Sequence, residues 1–226
     1  MRKANKYDIV VMTTAITRPD LHSIVFPAAI KTLEGLSCKW LINIDQVQNK
    51  AITQTAKNLN NMLYGSGIDV EFLYTSEQGG TGNAFFNAAR NLMVHGKQYK
   101  PNLGYYWLED DWLSIDDFKL IDVISGVDIS SDKWCISLAD RDHMSFNPSI
   151  WSIKTFNELG YSNITTIPPD TYNLNPEKTC CSIGSDRFES TRKLDVFYTY
   201  KLMKDIGRKW QQENINGKRT FQINKI

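Results

Sequence analysis

Three carboxylates stand in a row at Glu109-Asp110-Asp111, directly behind the apolar run Tyr105-Tyr106-Trp107-Leu108. A strand ending this way gathers negative charges within a few ångströms of one another, and they repel. A hard divalent cation relieves that repulsion: Mg²⁺ or Mn²⁺ prefers oxygen ligands and often takes only one or two from protein, the rest from phosphate and water. The plainer alternative is a solvated acidic turn ahead of a helix, whose N-terminus favours negative charge.

Other polar residues of chemical interest recur at similar breaks in the apolar pattern. Thr13-Thr14-Ala15-Ile16-Thr17-Arg18-Pro19 follows the run Tyr7–Met12, and Asp45 follows Trp40–Ile44. Gly79-Gly80-Thr81-Gly82 leads into Asn83, where glycines let backbone amides approach a ligand and Asn83 suits a helix N-cap. Arg90, a few residues on, offers a charged fork for a diphosphate or a carboxylate. Further along, Asp140-Arg141-Asp142-His143 could bind a ligand's hydroxyls through Asp140 or Asp142, or supply a base from one of them, and Gly184-Ser185-Asp186-Arg187 adds another carboxylate. Ser185 or Asp186 equally suits a plain helix N-cap, and His143 a surface or hydrogen-bonding role.

The elements that must position these groups alternate in the first half. Short β-branched runs predict strands at Tyr7–Met12, Trp40–Ile44, Val70–Tyr74 and Tyr105–Leu108. Between them lie helical patterns: about 21–33, with Pro27 as a kink or a late start, then a face of Ile52, Ala56, Leu59 and Leu63, then one of Phe86, Ala89, Leu92 and Met93. Alternation of this kind predicts a mostly parallel sheet whose ligand lies beyond the carboxyl ends of its strands, where the polar groups fall. In the second half, Trp134–Leu138 and Ser149–Ile153 read as strands, and a long helix is expected from about Arg187 to Gln211.

This order of motifs resembles the inverting GT-A glycosyltransferases of the large family 2 type, whose signature is a hydrophobic strand ending in Asp-x-Asp or x-Asp-Asp. The resemblance covers roughly residues 7–112. It implies a Rossmann-like α/β fold, mostly parallel and flanked by helices, that holds a nucleotide sugar at Glu109, Asp110 and Asp111. Asp110 would lie near the ribose or the metal, and Asp111 would coordinate Mn²⁺ or Mg²⁺ between the two phosphates. Thr13, Thr14 and Arg18 would cup base and ribose, with Asp45 on the uracil or ribose. Gly82-Asn83-Ala84-Phe85-Phe86-Asn87-Ala88-Ala89-Arg90-Asn91 looks like the family's glycine-started helix, whose arginine reaches the donor pocket. The family's base is the Asp of a pair opening a late helix, which points to Asp186, with Ser185 where Glu is often found; Asp142 is the rival.

Length and charge bound the rest. The 226 residues, 42% hydrophobic, suit one domain, with a nucleotide-binding half at about 1–112 and an acceptor-binding half at about 113–226. Lys and Arg total 26 against 25 for Asp and Glu, so no broad field attracts polyanions and nucleic-acid binding is not expected. Four cysteines without CxxC spacing suggest neither a zinc site nor a disulfide framework, and a reducing, cytoplasmic setting follows. No membrane span is read from the sequence. The expected activity is transfer of a hexose from a nucleotide diphosphate sugar, a UDP-sugar foremost, to a glycan or other hydroxyl acceptor. The alternatives are a sugar-phosphate nucleotidyltransferase, which would carry a Gly-rich, basic loop after the first strand that Thr13–Asp20 lacks, and a non-catalytic nucleotide- or carbohydrate-binding module.

Overall fold

The first strand, β1 (Ile9–Ala15), is buried along its whole length, as its β-branched composition requires. It lies at the centre of a parallel group with β2 (Cys38–Asp45), β3 (Asp69–Thr75) and β4 (Gly104–Trp107). The computed structural model describes residues 6–45, 52–75, 80–166 and 188–214, with residues 80–84 and 211–214 described by their backbone alone. Beyond β4 the sheet continues through β7 (Ser149–Trp151), β6 (Trp134–Ser137) and β8 (Val196–Thr199). The order is β3-β2-β1-β4-β7-β6-β8, with β7 alone antiparallel to its neighbours. A two-stranded ribbon, β5 (Trp112–Ser114) with β9 (Met203–Asp205), stands beside it.

Helices cover both faces. On one, α1 (Pro19–Thr32), α2 (Ile52–Leu63) and α4 (Leu120–Ser125) bury Phe26, Leu59 and Ile124 against Val11, Trp40 and Ile42. On the other, α3 (Gly80–Gly96) brings Phe86, Leu92 and Met93 onto Val10, Met12 and Leu41. The helical stretch α5 (Ile153–Thr155), a π-helical segment Phe156–Tyr161 and α6 (Ser162–Thr166) shares that face. The alternating pattern of β1 and β2, with neighbouring residues feeding opposite layers, is what period-two geometry dictates.

Several boundaries differ from the sequence expectation. Helix α1 runs unbroken through Pro27, which is exposed, so the backbone acceptor it leaves unbonded one turn back faces solvent. It starts at Pro19, where the fixed φ of proline favours a first turn. Helix α3 begins at Gly80, three residues ahead of the expected cap, so Gly82 and Asn83 lie in its first turn. The long helix expected over 187–211 is replaced, within the described part, by α7 (Glu189–Arg192), β8, β9 and α8 (Gly207–Asn214). The run Val196-Phe197-Tyr198-Thr199 is β-branched and aromatic, and pairing with β6 overrides the helical spacing around it. Among the described residues, no helix is long and apolar enough to cross a membrane.

Candidate functional site

The exits of β1 and β4 meet at Asp110. Its backbone N–H donates to the Thr14 carbonyl at 3.3 Å, which seats the acidic tip of β4 beside the end of β1. The Asp110 side chain is 2% exposed and surrounded by donors. Oδ2 accepts from the Ile16 N–H at 3.1 Å, from His22 Nε2 at 2.8 Å and from Arg18 Nε at 3.3 Å, and Oδ1 pairs with Arg18 Nη2. Arg18 and His22 are four residues apart at the start of α1, so one helix face delivers both. Burial opposes the charge on Asp110, but Arg18, and then His22, outweigh it and hold the carboxyl below its ordinary range.

Asp111 is in the opposite condition. Its side chain is 18% exposed, and one oxygen receives Arg18 Nη1 at 3.0 Å. Burial raises its pKa to about 6; Arg18 works against the rise, while Asp110 and Asp205 add to it. The guanidinium of Arg18, itself disfavoured by burial but held charged by both aspartates, is thus shared out before Asp111 is compensated. Asp205, at the end of β9, caps α8 by accepting the N–H groups of Gly207 at 2.9 Å and Arg208 at 3.2 Å. Ile206 N–H donates to the Asp111 carbonyl at 2.9 Å, and Trp210 lays its ring over Arg18, 5.9 Å from the guanidinium carbon. Gly207 packs so tightly that a Cβ there would lie 2.6 Å from Asp111 Cγ.

Whether these residues fit a divalent cation follows from that geometry. Both oxygens of Asp110 are committed to the protein's own donors, which removes it as an open ligand. Asp111, incompletely neutralised, partly exposed and close enough to Asp205 to feel its charge, fits a hard cation. Among the described residues, no group of three or more His, Cys, Asp or Glu side chains is arranged to hold a metal by itself. A cation here would therefore draw most of its ligands from elsewhere, as Mg²⁺ and Mn²⁺ do with phosphates and water.

The remaining expected residues separate into those the site gathers and those the fold uses. Thr13 is fully buried and accepts the Trp40 indole N–H at 2.8 Å, so its hydroxyl serves the core. Thr14 contributes its carbonyl to Asp110. Glu109 accepts the Trp112 indole N–H at 2.9 Å. Asp45 ends β2 opposite Thr75, at the same edge as the β1 and β4 exits. Arg90 lies in α3 next to Asn91, whose amide donates to Asn43 at 2.9 Å, with Asn43 in turn donating to Thr75 at 3.3 Å; this places its turn of helix near the β2 and β3 exits. Asp186 lies outside the described residues.

Aromatic side chains can stack on the apolar face of a sugar ring; of four that follow the acidic tip, Trp112, Phe146 and Trp151 are core residues with 5% exposure or less, whereas Tyr161 is half-buried. His22, Asp205, Gly207 and Trp210 were not anticipated; the spacing of four between Arg18 and His22 was the one signal that could have found any of them.

Across the sheet, the exit of β6 carries Asp140-Arg141-Asp142-His143. Trp107 of β4 and Ser137 of β6 both pair with Ser149, so the two strands end at the same level. With neighbouring strands about 4.8 Å apart, these exits stand roughly 10 Å from each other. Asp140 adopts a left-handed φ of 53°, and with Arg141, Asp142, His143 and Thr199 it lines an open depression of about 340 Å³. A larger depression, about 470 Å³, lies by Asn102, Leu103 and Trp134 at the entry ends of β4 and β6. Ligands of open α/β sheets bind beyond the carboxyl ends, so the smaller depression is the one relevant to the site.

No protein-family model matches the sequence, and no curated protein matches it either. Solved structures do. A mannosyltransferase from Pyrobaculum calidifontis, PcManGT, solved in complex with GDP-Man and Mn²⁺, matches with a TM-score of 0.50 at 8% identity. That match covers 70% of this chain and 48% of the mannosyltransferase, so it spans about half of that protein's length. HddC from Yersinia pseudotuberculosis matches at 18% identity over 89% of this chain and 94% of its own, with a TM-score of 0.47. A glycosyltransferase involved in glycosylation of the major capsid of the virus PBCV-1 matches at 10% identity over 85% and 80%, with a TM-score of 0.44. At these identities the likeness establishes the fold: a mixed α/β, mostly parallel sheet of the GT-A type, shared with a glycosyltransferase that takes a nucleotide sugar.

Proposed function

We propose that this chain is a glycosyltransferase that moves a hexose from a nucleotide diphosphate sugar, a UDP-sugar foremost, to a hydroxyl acceptor such as a glycan, with inversion and with the help of Mn²⁺ or Mg²⁺. The observation that carries the reading is the contrast at the β4 tip. Asp110 is fully paired to Arg18 and His22, while Asp111 beside it, sharing only one arm of Arg18, remains incompletely compensated at the mouth of the parallel exits. A metal held by Asp111 would offset the charge developing on the departing diphosphate. The chain's own residues do the rest. Arg18 and His22 fix the β4 tip against the start of α1, and the exits of β2 and β3, with Asp45 and Arg90 near them, border the space for base and ribose. On this reading the β6 exit, with Asp142, faces the acceptor and supplies the base.

The test is a thermal-shift series with UDP-, GDP- and dTDP-sugars, with and without Mn²⁺. A ligand that binds only the folded state raises its melting temperature. Stabilisation by UDP-sugars only in the presence of Mn²⁺, lost in Asp111→Ala, is the expected result. Equal shifts in the variant, or no shift with any of these compounds, would defeat the reading.

A further inference from the structure

His143 Nδ1 lies 2.6 Å from Asp142 Oδ1, and the two side chains share the rim of the depression at the β6 exit. A carboxylate at Nδ1 makes that nitrogen the donor and leaves Nε2 as the ring's acceptor. Among the described residues, Nε2 has no hydrogen-bond partner. The ring is held on its other side as well: Phe188 meets it edge-on at 6.1 Å, and the next residue, Met144, donates its N–H to Thr191 Oγ1 at 2.8 Å. Asp142 is mostly exposed while the imidazole is 14% exposed, so the ring is a fixed group with one lone pair available at the depression.

Position supports the same conclusion. The β4 and β6 exits end level with each other and about 10 Å apart, on either side of Ser149. That separation accommodates one sugar ring between a diphosphate at Asp111 and a hydroxyl at the β6 loop.

We propose that Asp142 and His143 act as a dyad, His143 Nε2 being the base for the acceptor and Asp142 the residue that positions it. This rests on the glycosyltransferase reading. In the step, the acceptor oxygen forms a bond to the anomeric carbon as the bond from that carbon to the diphosphate oxygen breaks. The nucleoside diphosphate leaves with the bonding electron pair, and the hydroxyl proton passes to Nε2. The resulting imidazolium is stabilised by the Asp142 carboxylate at Nδ1 and afterwards gives its proton to water, the carboxylate staying ionised throughout.

The experiment uses the whole chain with Mn²⁺ and the UDP- and GDP-sugars named above, taking water as the acceptor and following release of the nucleoside diphosphate. His143→Gln should bind donor with wild-type affinity and release diphosphate on the order of 100-fold more slowly. His143→Ala should regain part of the rate when imidazole is added. In Asp142→Asn, imidazole ¹⁵N spectra should show the His143 proton moving from Nδ1 toward Nε2, a change that a merely structural role for Asp142 would not produce. His143→Gln turning over within about threefold of wild type, or an unchanged tautomer in Asp142→Asn, would overturn the dyad and leave the glycosyltransferase reading standing. Failure of the wild type to bind any of these donors would overturn both.

Discussion

Arg18 and Asp110, 92 residues apart in sequence, form an ion pair with only 6% and 2% of their side chains exposed. A pair this deep is expensive to halve, because the survivor is left charged without a partner; removing one member of a buried pair costs about 3–5 kcal/mol. Arg18→Met is therefore expected to destabilise the protein by about that amount in urea unfolding. Asp110→Asn should be nearly as damaging, since Arg18 would then depend on Asp111 alone. A loss under about 1 kcal/mol for Arg18→Met, within the range of a surface pair, would show that the cluster is solvated in solution.

Asp111 predicts the reverse. Its pKa is raised from 3.8 to about 6, by burial above all and further by Asp110 and Asp205. The folded state therefore takes up this proton before the unfolded state does, and the contribution of Asp111 to stability improves as pH falls from above 6 toward 4. In metal-free protein, Asp111→Asn should raise the melting temperature at pH 7.5, and the advantage should fade as pH drops through that window. Wild-type and variant curves running parallel from pH 7.5 to 4 would refute it.

The same carboxyl sets the pH dependence of metal binding, because a proton and a cation compete for it. Mn²⁺ affinity measured by calorimetry in the presence of UDP is expected to be flat above pH 7 and to fall below about 6. Equal affinity at pH 5.5 and 7.5 would place the ion on other ligands.

Much of the first half was legible because its physics is local. The β-branched runs at Ile9–Ala15 and Cys38–Asp45 and the apolar face of Ala56, Leu59 and Leu63 state their periods within a dozen residues. The second half was misread where a long-range pairing decided the outcome: Val196–Thr199 is a strand because β6 lies beside it, and Met203–Asp205 because β5 does. The acidic triplet was legible as a candidate site, but not the division of labour within it. That depends on which carboxylate meets Arg18, His22 and the Ile16 N–H, and these partners lie about ninety residues upstream. Asp205 and Gly207 were invisible for the same reason.

Gly207 gives the sharpest test of whether the β9–α8 segment belongs to the site. A methyl at this position would lie 2.6 Å from Asp111 Cγ. The carboxylate is not free to swing aside, because Arg18 holds one of its oxygens at 3.0 Å. The backbone cannot easily retreat either, with Ile206 N–H bonded to the Asp111 carbonyl at 2.9 Å. Gly207→Ala should thus cost about 1–3 kcal/mol, as overpacking does, and should also abolish the Mn²⁺-dependent shift with UDP-sugars by displacing Asp111. Trp210→Ala is the control. It removes the ring over Arg18 but leaves the Gly207 contact, so it should lower the melting temperature while retaining the ligand shift. Were Gly207→Ala to keep the full shift, the carboxyl-terminal segment would be packing alone, and Asp111 would owe its position to Arg18 and β4.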